Sequence, residues 1–121
     1  MNVLRSYLES RQPRCPQRRE RLGALAACID HEPIRCGMTV LMLDELRRVR
    51  HWPTSLVLEM LTDLQARACL SHAVIHTGEV YGLVAVVWPD REWLTIDLAT
   101  LAEACAMAAP KPHTRQLKEV A

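Results

Sequence analysis

Apolar side chains recur three and four residues apart over the first 70 positions and then give way to a β-branched run, so the pattern predicts helices followed by a hairpin. A short helix is expected within Met1–Ser10, with Val3, Leu4 and Leu8 on one side. The prolines of Arg11-Gln12-Pro13-Arg14-Cys15-Pro16 mark a linker after it. Pro16 suits a first helical turn, and Leu22, Leu25, Ala26 and Ile29 behind it form the stripe of a helix over Gln17–Ile29. Asp30-His31-Glu32-Pro33 stops that helix, and Ile34-Arg35-Cys36 reads as a short extended piece before Gly37. With Thr39 as N-cap, Met42, Leu43, Leu46 and Val49 predict a second helix ending near Arg50. A short connection through Pro53 leads to Thr54 or Ser55 as cap of a third helix, buried along Val57, Met60, Leu61, Leu64 and Ala68.

From Ser71 the period changes. Ala73–His76 and Val80–Trp88 read as strands joined by Thr77-Gly78-Glu79. The second run is apolar on both alternating faces, which requires cover on both sides. The N-terminal segment, the last helix or a second copy could supply it, and a buried central strand explains the pattern equally well. Pro89 ends the strand, and Thr95 or Asp97 caps a last helix with Leu98, Leu101, Ala102 and Cys105 on one face. The expected organisation is a helix and linker over residues 1–16, a domain over 17–109 and a flexible tail over 110–121. The fold class is mainly α with a small β-hairpin, that is, α+β.

At 121 residues the chain has the usual size of one domain, with half its residues apolar and no apolar run of the length a membrane helix needs. Five cysteines without a CxxC pair, and the absence of a basic leader before an apolar block, point to a cytoplasmic protein with reduced thiols. The net charge of +1 is divided unevenly, +3 over residues 1–60 and −2 over 61–121. That is far from the strongly basic balance of a protein that grips phosphates along its whole surface.

Helix, extended piece, helix, tight turn, helix and hairpin follow one another from Gln17 to Trp88, with Thr54-Ser55-Leu56-Val57 leading the helix before the hairpin. This order resembles the winged helix-turn-helix superfamily over about 70 residues, without a diagnostic motif. The resemblance implies a small transcriptional regulator that places its third helix in the major groove of double-stranded DNA. Arg47, Arg48, Arg50 and His51 would then face phosphates, while Ser55, Glu59, Thr62 and Arg67 would lie near base edges. The third helix otherwise presents Leu58, Asp63 and Ala66 outward, so its face carries two acids and few donors.

The alternative is a protein-interaction module, an inhibitor or small subunit, whose acidic Glu59, Asp63 and Glu79 meet a basic protein surface. A homodimer is compatible with either. Catalysis finds no glycine-rich phosphate loop, nucleophile elbow or HExxH, so no enzyme is expected. Cys15, Cys28, His31 and Cys36 do not follow a zinc spacing, the pair His72 and His76 lacks a third ligand, and neither metal nor cofactor is expected. The Met42 and Met60 stripes are assigned to the core.

Overall fold

The structure is a computed structural model that describes residues 1–79, 81–90, 92 and 97–108. Within these residues the chain is α+β, with five helices and a three-stranded antiparallel sheet. The elements are α1 (Val3–Glu9), α2 (Pro16–His31), β1 (Thr39–Met42), α3 (Leu43–Arg50), α4 (Thr54–Ala66), β2 (Ser71–His76), β3 (Leu83–Trp88) and α5 (Leu98–Ala108). Val80, Thr95 and the tail from Ala109 lie outside the described residues.

The helical stripes place the main core. Leu22, Leu25, Ala26 and Ile29 of α2 and Val57, Met60, Leu61 and Leu64 of α4 are buried together with Leu43 and Leu46 of α3. In α1 the buried positions are Val3 and Tyr7, four residues apart, while Leu8 points to solvent. Of the expected Val3, Leu4 and Leu8, the first is buried and the second packs partly buried against the core; only Leu8 departs, its place taken by Tyr7. Val49 is also exposed, because α3 turns only Leu43 and Leu46 inward. Ala68 falls beyond α4 in a left-handed turn (φ 60°) and is exposed, the burial passing to Cys69 and Leu70.

The largest departure from the sequence pattern is β1. Thr39 does not cap a helix; it is a buried strand residue opposite Val87, and α3 begins only at Leu43. The extended piece expected over Ile34–Cys36 reaches only as far as Arg35, which forms an antiparallel bridge with Met38. Arg35 and Met38 exchange backbone hydrogen bonds of 2.8 and 3.1 Å around Cys36 (φ 52°) and Gly37 (φ 80°). Two successive positive φ values make the tight turn that matches the twist of strands and delivers the chain into β1. Similarly, neither Thr54 nor Ser55 caps α4: Pro53 holds the cap position, in an extended conformation.

The strand order is β1-β3-β2, so β3 is central. This explains its two apolar faces. Ala85 and Val87 enter the main core, while Val84 and Val86 face a second cluster with Met38, Val40, Leu101, Ala104 and Cys105. The last helix therefore covers the outer face within one chain, and the exposed-strand argument for a second copy falls away. Asp97 does cap α5, accepting from the Thr100 backbone N–H at 2.8 Å and from its hydroxyl at 3.0 Å. These bonds hold the Asp97 carboxyl below its usual range, the backbone bond being the larger cause. Along α5 the buried positions are Leu101, Ala104 and Cys105, with Ala102 left exposed.

Gly82 shapes the turn before β3, with φ 66° and its N–H donated to the Gly78 carbonyl at 3.0 Å. A Cβ there would stand 3.1 Å from Asp44 Oδ2, but that side chain is exposed and can yield. The backbone conformation is the larger obstacle, costing an L-residue about 1–2 kcal/mol. Gly82→Ala should lower stability by about that amount in chemical denaturation, and Gly82→Asn by less, since Asn tolerates the left-handed region.

Candidate functional site

The residues expected to meet DNA fall into two separate groups, most of them already engaged. Glu59 and Thr62 lie on α4 beside an open depression of about 420 Å³ with Arg18, Leu58, Asp63 and Ala66. Arg18, arriving from α2, bonds Asp63 at 2.9 Å and Glu59 at 3.4 Å. Arg67 bonds the same Asp63 at 2.8 Å from the other side. Thr62 donates its hydroxyl to the Leu58 carbonyl at 2.9 Å. Ser55 is exposed at the start of α4. Glu59 and Asp63 of the acidic face are therefore paired, by Arg67 at helical spacing from Asp63 and by Arg18 from α2, which the pattern of α4 could not reveal. The Arg18–Glu59 pair, exposed on both sides, contributes about 0.2–1 kcal/mol, whereas Asp63 and Arg67 are more sheltered, at 15% and 20% side-chain exposure.

The second group closes α3. Arg48 is tied to Glu45 one turn back, while Arg47 projects into solvent. His51 ends the helix in a left-handed conformation (φ 58°), and the Arg50 guanidinium lies 5.3 Å from the centre of the Trp52 ring. These residues form a solvated helix end and do not converge with Glu59, Thr62 or Arg67 on one cavity.

The histidine and cysteine candidates do not gather. Among the described residues no three His, Cys, Asp or Glu side chains stand close enough to hold a metal ion. Cys28 is half-buried on α2, and burial raises its thiol pKa, whereas Cys15 and Cys36 are exposed. His72 pairs with Gln65, whose Oε1 accepts from the His72 backbone at 2.9 Å and lies 2.7 Å from Nδ1. Because an amide oxygen only accepts, Nδ1 carries the proton there. Burial lowers the pKa of this ring.

A different place has the form of a small-molecule site. A cleft of about 290 Å³ opens between the β2–β3 hairpin and α5, lined by Ile75, His76, Thr77, Tyr81, Leu98, Leu101, Ala102 and Cys105. Its walls are mostly apolar, and its polar groups sit together at the hairpin end. Ile75 and Tyr81 come from the sheet side of the second cluster, Leu101 and Cys105 from the helix that packs against it. Sequence inspection missed the cleft because each of its apolar residues reads as core in its own element. One local signal was available: Leu98 and Ala102 widen the apolar face of α5 beyond its buried stripe.

A model of the GAF domain family matches residues 5–110, nearly the whole chain. The chain belongs to the GAF domain family. The match replaces the winged helix-turn-helix resemblance, which rested on the order of elements alone, and order without a motif fixes neither family nor function. It also removes the expectation of a DNA-binding transcriptional regulator, in keeping with the engagement of Arg48, Glu59, Thr62 and Arg67 within the molecule. Comparisons with curated proteins and with solved structures gave no match. No helix among the described residues of this GAF domain is long and apolar enough to cross a membrane.

Proposed function

We propose that this GAF domain is a small-molecule-sensing regulatory domain whose ligand occupies the cleft between the hairpin and α5. The observation that carries this reading is the combination of about 290 Å³ of apolar space with a few polar groups at one end. Small-molecule sites are built in that way, from hydrophobic walls and a small number of orienting polar atoms. The cleft also joins two elements that the rest of the fold holds differently. The hairpin is bonded through β3 into the sheet, whereas α5 rests on it through Leu101, Ala104 and Cys105. A ligand bridging them would couple occupancy to the position of α5, which is what a regulatory domain needs.

Binding rather than catalysis fits the lining. Cys105 is buried, its pKa raised by desolvation, so it stays a thiol and a poor nucleophile. The His76 ring accepts a hydrogen bond from the Gly78 backbone rather than contacting that sulfur.

Ala102 gives a test that leaves the fold alone, because it is exposed and lines the cleft. A screen of compounds of ten to fifteen heavy atoms, read by amide shifts on the 121-residue chain, should find binders that move Ile75, His76, Leu101 and Cys105. Ala102→Trp should weaken them at least tenfold while changing stability by no more than about 0.5 kcal/mol, as for most surface substitutions. Binders that shift only the Arg18–Glu59 depression, or that ignore Ala102→Trp, would show the site to be elsewhere.

A further inference from the structure

The two edges of the sheet are built differently. β1 is four residues long, its Thr39, Val40 and Leu41 are buried, and Glu32 and Glu45 close on Val40–Met42 in a recess of only about 40 Å³. β2 is six residues long, pairs with β3 residue for residue, and carries no Pro, Asp, Glu, Lys or Arg between Ser71 and His76. Charge, proline, bulges and short length are the devices that protect a strand edge, and β2 has none of them.

Alternation along β2 decides which backbone groups face outward. The Thr77 N–H bonds the Gly82 carbonyl across the hairpin at 2.8 Å, whereas the His72 N–H turns away from β3 to the Gln65 side chain at 2.9 Å. Ser71, Ala73, Ile75 and Thr77 therefore bond the neighbouring chain segment, while His72, Val74 and His76 direct their N–H and C=O groups away from it. Gln65 has taken the first of these N–H groups. Val74 and His76 remain open: both are exposed, Val74 at 39%, and their outward N–H and C=O groups have no partner among the described residues.

Two open residues two positions apart are complementary to themselves. We propose that the β2 edge pairs with β2 of a second copy, antiparallel about a two-fold axis at Ile75, joining two three-stranded sheets into one of six. Val74 of each chain then faces His76 of the other, and each such pair exchanges two backbone hydrogen bonds. The ladder stops there, because the next pair would need the His72 N–H, held by Gln65, and the Gly78 N–H, held by the His76 ring. An axis at Val74 would instead set His72 against His76 and demand the N–H that Gln65 holds. Ile75 meets its own copy on the α5 face, at the kind of position where cross-strand side chains approach most closely. An uncharged strand gives a foreign segment no charge to read, while its own copy matches it group for group without repulsion. The second copy pairs an edge and is not needed to cover β3. The inference is independent of the cleft's ligand, although Ile75 also lines that cleft. So short a ladder belongs with interfaces below about 1,200 Å², so the dimer is weak, with a Kd of about 0.1–1 mM.

Amide exchange on the full chain reads the pairing directly. Between about 0.02 and 2 mM protein, exchange at Val74 and His76 should slow at least twofold, while Ala73 and Ile75, already bonded to β3, keep their rates. Sedimentation over the same range should show monomer passing to dimer. Val74→Lys/His76→Lys sets like charges opposite one another at exposed positions and should remove both effects. Val74→Lys/His76→Glu sets opposite charges across the axis and should dimerise at least as tightly as the wild type. Exchange at Val74 and His76 that ignores concentration would overturn the proposal, as would protection already complete at the lowest concentration, which would mean that the chain itself covers the edge. A dimer that survives the two lysines would overturn it by placing association on another surface, such as the exposed side of α5. A monomeric Val74→Lys/His76→Glu would overturn the register centred on Ile75.

Discussion

Replacing Ala104 with aspartate is expected to lift α5 from the sheet and destroy the cleft while the helical core survives. Ala104 is 4% exposed and shares its cluster with Met38, Val40, Val84 and Val86, all apolar. An uncompensated carboxylate at such a place costs about 3–5 kcal/mol. Against that stands what α5 contributes through its buried side chains, of which Leu101 is the largest, and a fully buried leucine supplies only about 1.5–3 kcal/mol. Ala104, Cys105 and the residues that α5 covers add to that gain, so the penalty removes most of the helix's docking energy and α5 should open far more often. The core of α2, α3 and α4 lies on the other face of β3, against Ala85 and Val87, and has its own cover. Amide exchange in α5 should therefore accelerate at least a hundredfold, with Leu61 and Leu64 keeping their protection. The uncovered Val84 and Val86 should bind an apolar dye and promote association. Ala106→Asp, on the exposed side of the same helix, controls for the loss of helix propensity. If protection is lost everywhere at once in Ala104→Asp, α5 and the core form one cooperative unit and the cleft cannot open independently.

That two-sided dependence on β3 was visible in the sequence as a run with no polar face, but its geometry was not. The helices of the core were legible because Leu22, Leu25, Ala26 and Ile29, or Val57, Met60, Leu61 and Leu64, repeat with the period of a helix that buries one stripe. The strand β1 was not, because Thr39-Val40-Leu41-Met42 runs directly into Leu43, and four apolar residues before Leu46 continue a helical spacing as well as they make a strand. What decides between them is long-range: β3 needs a second neighbour, and only pairing of Thr39 with Val87 through Met42 with Val84 supplies it. The cleft was hidden for a related reason. Ile75 and Leu101 belong to elements far apart in sequence, and an apolar residue beside a space has the same local pattern as one in the core. Charge misled in the opposite direction. Glu59 and Asp63 read as a free acidic face because Arg18, which bridges both, lies 41 and 45 residues earlier. Family membership came from neither source, since element order is shared by chains of different descent.

Tyr7→Ala should release α1 altogether, with the second large effect expected of a single substitution. At seven residues α1 is well below the roughly 12–15 residues an isolated helix needs to persist in water, so it exists only while docked. Docking has three parts. Val3 and Tyr7 are buried, the Tyr7 hydroxyl donates to the Arg19 carbonyl at 3.0 Å, and Asp30 accepts from the Val3 and Leu4 backbone N–H groups at 2.9 Å each. The last is a helix cap supplied from α2 rather than from the chain before α1. The magnitudes rank them. Truncating a buried aromatic ring costs about 3–5 kcal/mol, losing one neutral hydrogen bond about 1, and losing a cap about 0.5–2. Tyr7→Ala is therefore expected to lower stability by about 3–5 kcal/mol, Asp30→Ala by about 1–2 and Tyr7→Phe by about 1, in urea titrations. Only the first should abolish protection of the α1 amides, because the ring anchors a helix that has no other means of forming. Equal losses in Tyr7→Ala and Tyr7→Phe would mean that the hydroxyl, not the buried ring, holds α1 to α2.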